Sequence, residues 1–387
     1  MGDAVGAILL ASVTLYAVLG GADFGGGLWD LLAGTTARGR APRDLIDESI
    51  TPVWEANHVW LVFDLVIFWT AFPRAFASVM TALALPIWLA VGGIVLRGTG
   101  FAFRKEITRV SLQRVAGAAF AFSSLVTPFF MGTVVGAIAT GAVPADASHA
   151  SLAAWTSPTA LLSGFVFVAA CGYLAAVYLV VEAGRRGDRS MRAYFTRRAQ
   201  GAAVVAGALS LAALFEVQNS DPAFFNRLTG RALPLVVLAG VCGLADLALL
   251  TAGRTKGVRA VAALGVAAVI WGWGVAQYPV LLPRTAVTLT NAGATQATFV
   301  ALVVVAIAAV ILVVPSFALL YTLQGRHLLG GGEQGTPPAA GPRRSTGLPS
   351  AAHAEPPPPN HRPGSASRGV ALGLVAIAAI ARRRSPR

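Results

Sequence analysis

The sequence is poor in charge and in cysteine. Only 12% of its 387 residues are Asp, Glu, Lys or Arg, whereas 56% are hydrophobic. That balance excludes an ordinary water-soluble domain and is typical of a polytopic membrane protein. The two cysteines, Cys171 and Cys242, both fall in the middle of apolar runs. We therefore interpret them as small core residues and expect neither a disulfide nor a cysteine metal site.

Histidine is also scarce, which limits the cofactors that the chain could hold. Of the five histidines, His58 alone falls within a predicted membrane helix. A haem held by two histidines, or a histidine-rich metal centre, cannot be built from one such side chain. We expect no metal site, and we interpret His58 as a hydrogen-bond partner of Glu55 or of a neighbouring helix in preference to a metal ligand.

The positive net charge of +13 does not indicate a nucleic-acid partner. Residues 1–323 contain 21 Lys and Arg against 15 Asp and Glu, and residues 324–387 contain nine against two. The first excess lies in loops between apolar runs, as the positive-inside rule describes. We expect a lipid membrane as the surroundings and no nucleic acid.

Nine apolar runs have lengths close to the roughly 20 residues that a helix needs to cross a bilayer. The sequence therefore predicts an all-α polytopic membrane protein with nine transmembrane helices in a domain over residues 1–323. The predicted spans are Ala4–Ala22, Val53–Phe72, Phe76–Leu96, Val115–Ala139, Thr159–Val181, Gly201–Phe215, Ala232–Thr251, Val258–Gln277 and Thr298–Leu323.

The composition changes after this domain. Residues 324–368 are rich in Pro, Gly and Ser and are predicted to be a disordered linker. Residues 369–387 contain the apolar run Val370–Ala381, which is too short to span, followed by Arg382, Arg383 and Arg384. This end faintly resembles a bacterial C-terminal sorting signal, but we prefer the interpretation of a weakly membrane-associated tail.

The second apolar run carries an unusual number of polar side chains. Pro52 suits the first position of a helix, and Glu55, Asn57 and His58 follow within two turns. Asp64 lies deeper in the same run. An ionised acid near mid-bilayer costs about 2.5–3.5 kcal/mol even on the mildest scale. This helix therefore needs polar partners or a wet cavity, and for Asp64 an Arg from a neighbouring helix or subunit is a candidate partner.

Two carboxylates are predicted at the same membrane depth. Asp23 lies in the glycine run Gly20–Gly27, at the predicted end of the first helix, and Glu55 lies at the predicted start of the second. One interpretation is that both are interfacial charges, with Glu55 near the positive end of its helix dipole. The other is a proton entry route from the cytoplasm, because burial favours the protonated form of a carboxyl group. Arg97 and Arg104 near the end of the third helix are interpreted as a snorkelling pair.

Several of these segments together resemble subunit II of the cytochrome bd-type quinol oxidases. The resemblance covers about residues 4–324, and Asp64 and the tail depart from it. The segments that carry it are Gly21–Gly27 with Asp23, Pro52–Trp60, Thr70–Pro73, Leu96–Arg104, Tyr278–Pro283, Asn291–Ala292 and Leu320–Thr322.

The resemblance implies two four-helix bundles plus one peripheral helix, paired with a subunit I that holds haem b, haem d and the quinol site. It implies that Asp23 and Glu55 form a cytoplasmic proton route, with supporting hydrogen bonds from Asn57 and His58. It further implies a bacterial cytoplasmic (inner) membrane location, with a structural quinone and a small accessory subunit as further candidates. The candidate contacts to the partner subunit or to quinone are Trp54, Trp60 and Arg97.

Two alternative functions fit the same residues. Membrane carboxylates with glycine-rich helix ends also occur in proton-coupled secondary transporters, which would show paired broken helices in two halves. A purely structural partner, whose acids only pair with subunit I, is the other alternative.

The distribution of basic residues predicts the orientation. The odd-numbered loops carry 17 Lys and Arg and the even-numbered loops carry four. Loops rich in Lys and Arg stay in the cytoplasm. The N-terminus is therefore predicted outside and the C-terminus inside.

Cysteine labelling tests this orientation. With the native cysteines replaced, Ser148→Cys should react with an impermeant thiol reagent added outside intact cells, whereas Ser190→Cys should react only after the membrane is opened. The reverse pattern would overturn the predicted cytoplasmic placement of Asp23 and Glu55.

Overall fold

The computed structural model describes residues 1–34, 39–106, 110–146 and 148–325, without the side chains of 50–56, 101–106, 110–116, 314, 317–318 and 320–325. The chain divides into two units, Met1–Tyr321 and Thr322–Arg387, and the first is described below. Apart from the helical residues 324 and 325, the predicted linker 324–368 and the predicted tail segment 369–387 lie outside the described residues.

The described chain is helical apart from one short β-ladder, in agreement with the predicted fold class. The ladder pairs β1 with β2 in antiparallel orientation, with Val280 opposite Thr288. In chain order the elements are α1 Gly2–Leu31, α2 Arg40–Ala71, α3 Pro73–Ala82, α4 Ala84–Glu106, α5 Val110–Ala139, α6 Leu152–Trp155, α7 Pro158–Arg185, α8 Arg189–Ser220, α9 Pro222–Thr229, α10 Leu233–Thr251, α11 Val258–Gln277, β1 Val280–Leu282, β2 Val287–Thr288 and α12 Gln296–Gly325.

Within the described residues, seven helices are long and apolar enough to cross a membrane, and an eighth span results if α2 and α3 are counted as one bent span. The axes of these two helices differ by 117°. The prediction of a single helix over Phe76–Leu96 is wrong, because the chain breaks at Leu83 between α3 and α4. The apolar part of α4, Ala84–Gly100, is then shorter than the full spans.

Helix α2 begins well before the predicted start at Pro52. It runs from Arg40 to Ala71, with Gly39 as its N-cap. Its 32 residues give a length of about 48 Å at 1.5 Å per residue. This exceeds the roughly 30 Å hydrocarbon core of a bilayer, so the polar first turns of α2 extend beyond the apolar layer. The prediction of Pro52 as the first position of the helix was wrong, because the chain upstream is also helical.

Helix α1 is the hub of the described domain, since it packs against α2, α5, α7 and α11. The approach of α7 depends on two glycines of α1. A Cβ atom at Gly25 would overlap the carbonyl oxygen of Cys171, and one at Gly21 would lie 2.5 Å from a methyl group of Leu174. These two glycines therefore set the distance between α1 and α7.

Ion pairs connect the helix ends on the side where α1 ends. Asp30 of α1 accepts a hydrogen bond from Nε of Arg43 in α2, at 2.6 Å. Glu182 near the end of α7 pairs with Arg186 at 3.3 Å and with Arg259 of α11 at 3.5 Å. These pairs tie α1 to α2 and α7 to α11 at one end of the bundle.

The contact between α1 and α7 predicts a strong effect of a single methyl group. We expect Gly25→Ala to lower the free energy of unfolding by about 1–3 kcal/mol, since the backbone of Cys171 has to move. Thermal unfolding followed by tryptophan fluorescence measures this.

The matched control is Gly207→Ala in α8. A Cβ atom there meets nothing within 4 Å, so alanine should be neutral or stabilise the helix by up to about 1 kcal/mol. Equal unfolding temperatures for the Gly25 variant and the wild type would contradict the close packing of α1 on α7.

Candidate functional site

Asp23 lies inside helix α1 and not at its end. The glycine run that was predicted to end the helix is helical throughout, and α1 continues to Leu31. Asp23 is completely buried, whereas the sequence placed it near bulk water. The prediction was wrong because neighbouring helices cover the glycine run, so the backbone keeps its helical hydrogen bonds.

The partner of Asp23 is Arg97 of α4. Nη2 of Arg97 donates to Oδ1 of Asp23 at 2.5 Å and to the backbone carbonyl oxygen of Asp23 at 2.7 Å. Arg97 is only 1% exposed, so the prediction that it snorkels to the membrane surface is wrong. The sequence predicted that the charge of Arg97 would reach the polar headgroups of the membrane. Instead, the carboxylate of Asp23 offsets the cost of burying that charge inside the protein.

Three further residues enclose the guanidinium group of Arg97. Its Nη1 donates to the hydroxyl oxygen of Ser124 in α5. The ring centroids of Phe120 and Phe24 lie 4.3 Å and 5.2 Å from the guanidinium carbon, within the range of cation–π attraction. Gly27 leaves the necessary space, because a Cβ atom there would overlap the Ser124 hydroxyl.

Two polar atoms of this pair have no hydrogen-bond partner among the described residues. They are Oδ2 of Asp23 and Nε of Arg97, and both are buried. One carboxylate oxygen of Asp23 can therefore accept a hydrogen bond from a group that enters the site.

Asn57 of α2 lies beside this pair along α1. It is 1% exposed, and a Cβ atom at Gly20 would lie 2.9 Å from its Nδ2. Its Oδ1 is also buried without a partner in the described part of the chain. Gly20, Asp23 and Gly27 follow one another at intervals of three and four residues, so they share one face of α1. Asn57, Asp23 and Arg97 are the predicted residues that the fold brings to this face.

The other predicted residues of α2 are placed less completely. The side chains of Glu55 and Trp54 lie outside the described residues, although the helix backbone passes through both positions. His58 is half-buried. Trp60 packs edge-on against Phe63, with 6.1 Å between ring centroids. The hydrogen bonds expected between Glu55 and His58 stay a prediction.

Two other buried acids have partners that the sequence did not identify. Asp64 contacts the hydroxyl of Ser12 in α1, where an Arg was the candidate partner. The hydroxyl of Tyr173 in α7 donates to Asp246 of α10. Helical spacing could have identified the contact between Ser12 and Asp64. Helices α1 and α2 are antiparallel, and Asn57 of α2 lies against Gly20 of α1. Ser12 lies eight residues before Gly20 and Asp64 lies seven residues after Asn57, so the two meet further along the same pair of helix faces.

A buried carboxylate, guanidinium and carboxamide inside a bundle of membrane-length helices define a class of protein. Such groups are costly in a bilayer and are typical of membrane proteins that move protons, ions or electrons. The chain is a multi-pass bacterial membrane protein.

The chain belongs to the cytochrome bd terminal oxidase subunit II family, whose model matches residues 1–324. This confirms the family predicted from the sequence. The chain is 26% identical over 227 residues to the cytochrome bd ubiquinol oxidase subunit 2 of Bacillus subtilis, covering 58% of this chain and 64% of that protein. It is 27% identical over 180 residues to the cytochrome bd-I ubiquinol oxidase subunit 2 of Escherichia coli K12, covering 44% and 46% respectively.

The fold is that of a solved oxidase. The chain superposes on a chain of the bd oxidase structure from Geobacillus thermodenitrificans with a TM-score of 0.66 and 22% identity, covering 83% of this chain and 98% of that one. The sequence matches span less of the relatives, namely 64% and 46% of their lengths.

The buried ion pair predicts a large effect of neutralising one partner. Asp23→Asn leaves the charge of Arg97 without its counter-ion, and we expect a loss of about 3–5 kcal/mol of folding free energy. Cys171 and Cys242 are buried and free, so a thiol-reactive dye can report thermal unfolding of the purified protein.

The double variant Asp23→Asn with Arg97→Gln is the control. It removes both charges and should recover a large part of the loss. If the double variant is no more stable than Asp23→Asn, the two charges do not depend on each other and this description of the site is wrong.

Proposed function

We propose that this chain is the haem-free second subunit of a terminal respiratory oxidase that oxidises quinol and reduces O₂ to water. In this proposal subunit I carries haem b, haem d and the quinol site, and this chain supports it in the bacterial inner membrane. The family match over residues 1–324 carries the proposal. The names of the relatives, which are subunits of cytochrome bd ubiquinol oxidases, support the substrate class.

The donor set of the chain supports the assignment of the haems to the partner. His58 is the single histidine within the predicted membrane helices, so two axial histidine ligands are not available. Met131, a further residue with a sulfur donor, accepts a hydrogen bond from the hydroxyl of Tyr16 at 3.6 Å. This donor set does not fit a haem held by two histidines.

Glu55 and Asp23 take different roles in the proposed proton route. Asp23 forms a buried ion pair with Arg97. A fixed negative charge can attract a proton and orient a donor through its unpartnered oxygen, whereas a carrier has to change its protonation. We therefore assign the carrier role to Glu55, whereas Asp23 and Arg97 form a fixed ion pair that orients groups on the α1 face of the site. Asn57 and His58 supply supporting hydrogen bonds in this proposal.

The register of α2 supports a location of Glu55 at the partner interface. Position 55 precedes Val59, Val62 and Val66 by four, seven and eleven residues, so these positions share one face of the helix. The three valines are each roughly half exposed in this chain. A face that this chain leaves open can be covered by the partner subunit, which then receives the proton.

The transporter alternative has less support. Paired broken helices in two halves are its expected signature. Among the described residues one pair of helices, α2 and α3, forms a strongly bent span, and it belongs to the first half. In the second half, the described helices α8 to α11 form no bent span of this kind.

Replacing Glu55 by glutamine tests the proposed function. In the complex with subunit I, Glu55→Gln should assemble with the wild-type haem content while quinol-driven O₂ consumption falls about tenfold or more, which corresponds to about 1.4 kcal/mol on the limiting barrier. Glu55→Asp should be milder, because a shorter carboxylate can exchange protons through a water molecule.

The matched control is Glu48→Gln, seven residues earlier on the same helix. Glu48 forms an exposed ion pair with Arg186, and its loss should leave O₂ consumption unchanged. If Glu55→Gln assembles normally and consumes O₂ at the wild-type rate, the chain has the purely structural role.

A further inference from the structure

Asp64 is a carboxyl group in the membrane-spanning part of α2 that the proposed route through Glu55 does not use. It is half-buried and contacts the hydroxyl of Ser12, which is itself 3% exposed. Asp64 lies nine residues after Glu55, which is 2.5 helical turns, so the two positions are on opposite faces of α2. Asp64 faces α1, whereas position 55 lies on the open face.

The hydroxyl of Ser12 lies within hydrogen-bond distance of two acceptors. Its hydroxyl oxygen lies 3.1 Å from the carbonyl oxygen of Leu9 and also contacts Oδ1 of Asp64. A serine hydroxyl has one hydrogen to donate. When that hydrogen is given to Leu9, the contact with Asp64 is a hydrogen bond only if the carboxyl group supplies the proton.

The surroundings of Asp64 also favour the neutral acid. Within the described chain no Lys or Arg lies at ion-pair distance from it, in contrast to Asp23. An ionised aspartate at this depth costs about 2.5–3.5 kcal/mol without a counter-ion. A protonated carboxyl group that can release its proton is a proton-binding site.

A stripe of polar groups connects this site to the Asp23–Arg97 pair. Ser12, Tyr16, Gly20 and Asp23 follow at intervals of four, four and three residues on one face of α1, and Asn57 lies over Gly20. Tyr16 is 8% exposed, and its hydroxyl donates to Sδ of Met131 at 3.6 Å. Ser12 and Asp23 are eleven residues apart, or about 16 Å along the helix.

We infer that Asp64 and Ser12 form a second proton-binding site, at the end of an inner branch that runs from Asp23 past Asn57 and Tyr16. The inference rests on the proposed oxidase function. The carboxylate of Asp64 takes up one proton that arrives along this stripe and is then a neutral acid. It passes that proton on to the haem-bearing subunit of the proposed complex when O₂ is reduced, so the branch works in parallel with the route through Glu55.

The experiment uses the intact complex and two independent readouts. Infrared difference spectra should show the carbonyl stretch of a protonated carboxylic acid, and Asp64→Asn should remove that band. Ser12→Ala should shift the band, because the acid loses its hydrogen-bond partner. Oxygen consumption with quinol should fall roughly threefold in Asp64→Asn, less than in Glu55→Gln, since the outer route persists.

Asp246→Asn is the matched control, since it replaces another buried acid that accepts from a tyrosine in the other half of the chain. It should leave the Asp64 band in place and the turnover unchanged. The inference is overturned if Asp64→Asn keeps the band, if it consumes O₂ at the wild-type rate, or if Asp246→Asn causes the same loss. A wild-type complex that does not oxidise quinol would instead overturn the proposed function.

Discussion

A carboxylate and a guanidinium group buried together inside a bundle of membrane-length helices constrain the structure around them. The Asp23–Arg97 pair is enclosed on all sides, and breaking such a pair costs more than leaving both charges out. Helix α1 must therefore keep its backbone close to α5 at this level. Gly27 allows this approach, and Ser124 with Phe120 completes the surroundings of the guanidinium group.

The same helix has a second small-residue face. Gly21 and Gly25 admit α7, while Gly20 and Gly27 admit Asn57 and the arginine site. One stretch of glycines thus serves two different neighbours, which explains why so many lie together in the middle of a helix despite their cost of about 1 kcal/mol each relative to alanine. The glycines give the polar side chains of α2, α4 and α5 room beside the backbone of α1.

The two acidic residues proposed to bind protons, Glu55 and Asp64, occupy positions on opposite faces of α2. Asp64 lies on the face that contacts α1, and position 55 belongs to the face that carries exposed valines. A fixed ion pair and a carboxyl group that changes its protonation have different functions. The ion pair stabilises a charge, whereas the carboxyl group must gain and lose a proton. In this chain the ion pair shares a face of α1 with Ser12, the contact of Asp64, but lies about 16 Å from it along the helix.

The sequence by itself determined the membrane class, most of the span positions and the family, and it predicted Asp23, Glu55 and Asn57 as site residues. A membrane span is determined by the length and apolarity of one segment. The family motif around Trp54 and Asn57 is likewise contained in one short stretch of sequence. Only the tertiary structure decided that α1 continues through the glycines, that Arg97 is buried, and that Asp64 contacts Ser12. These outcomes depend on contacts between helices far apart in the chain, and a helical pattern specifies a face without specifying its neighbour.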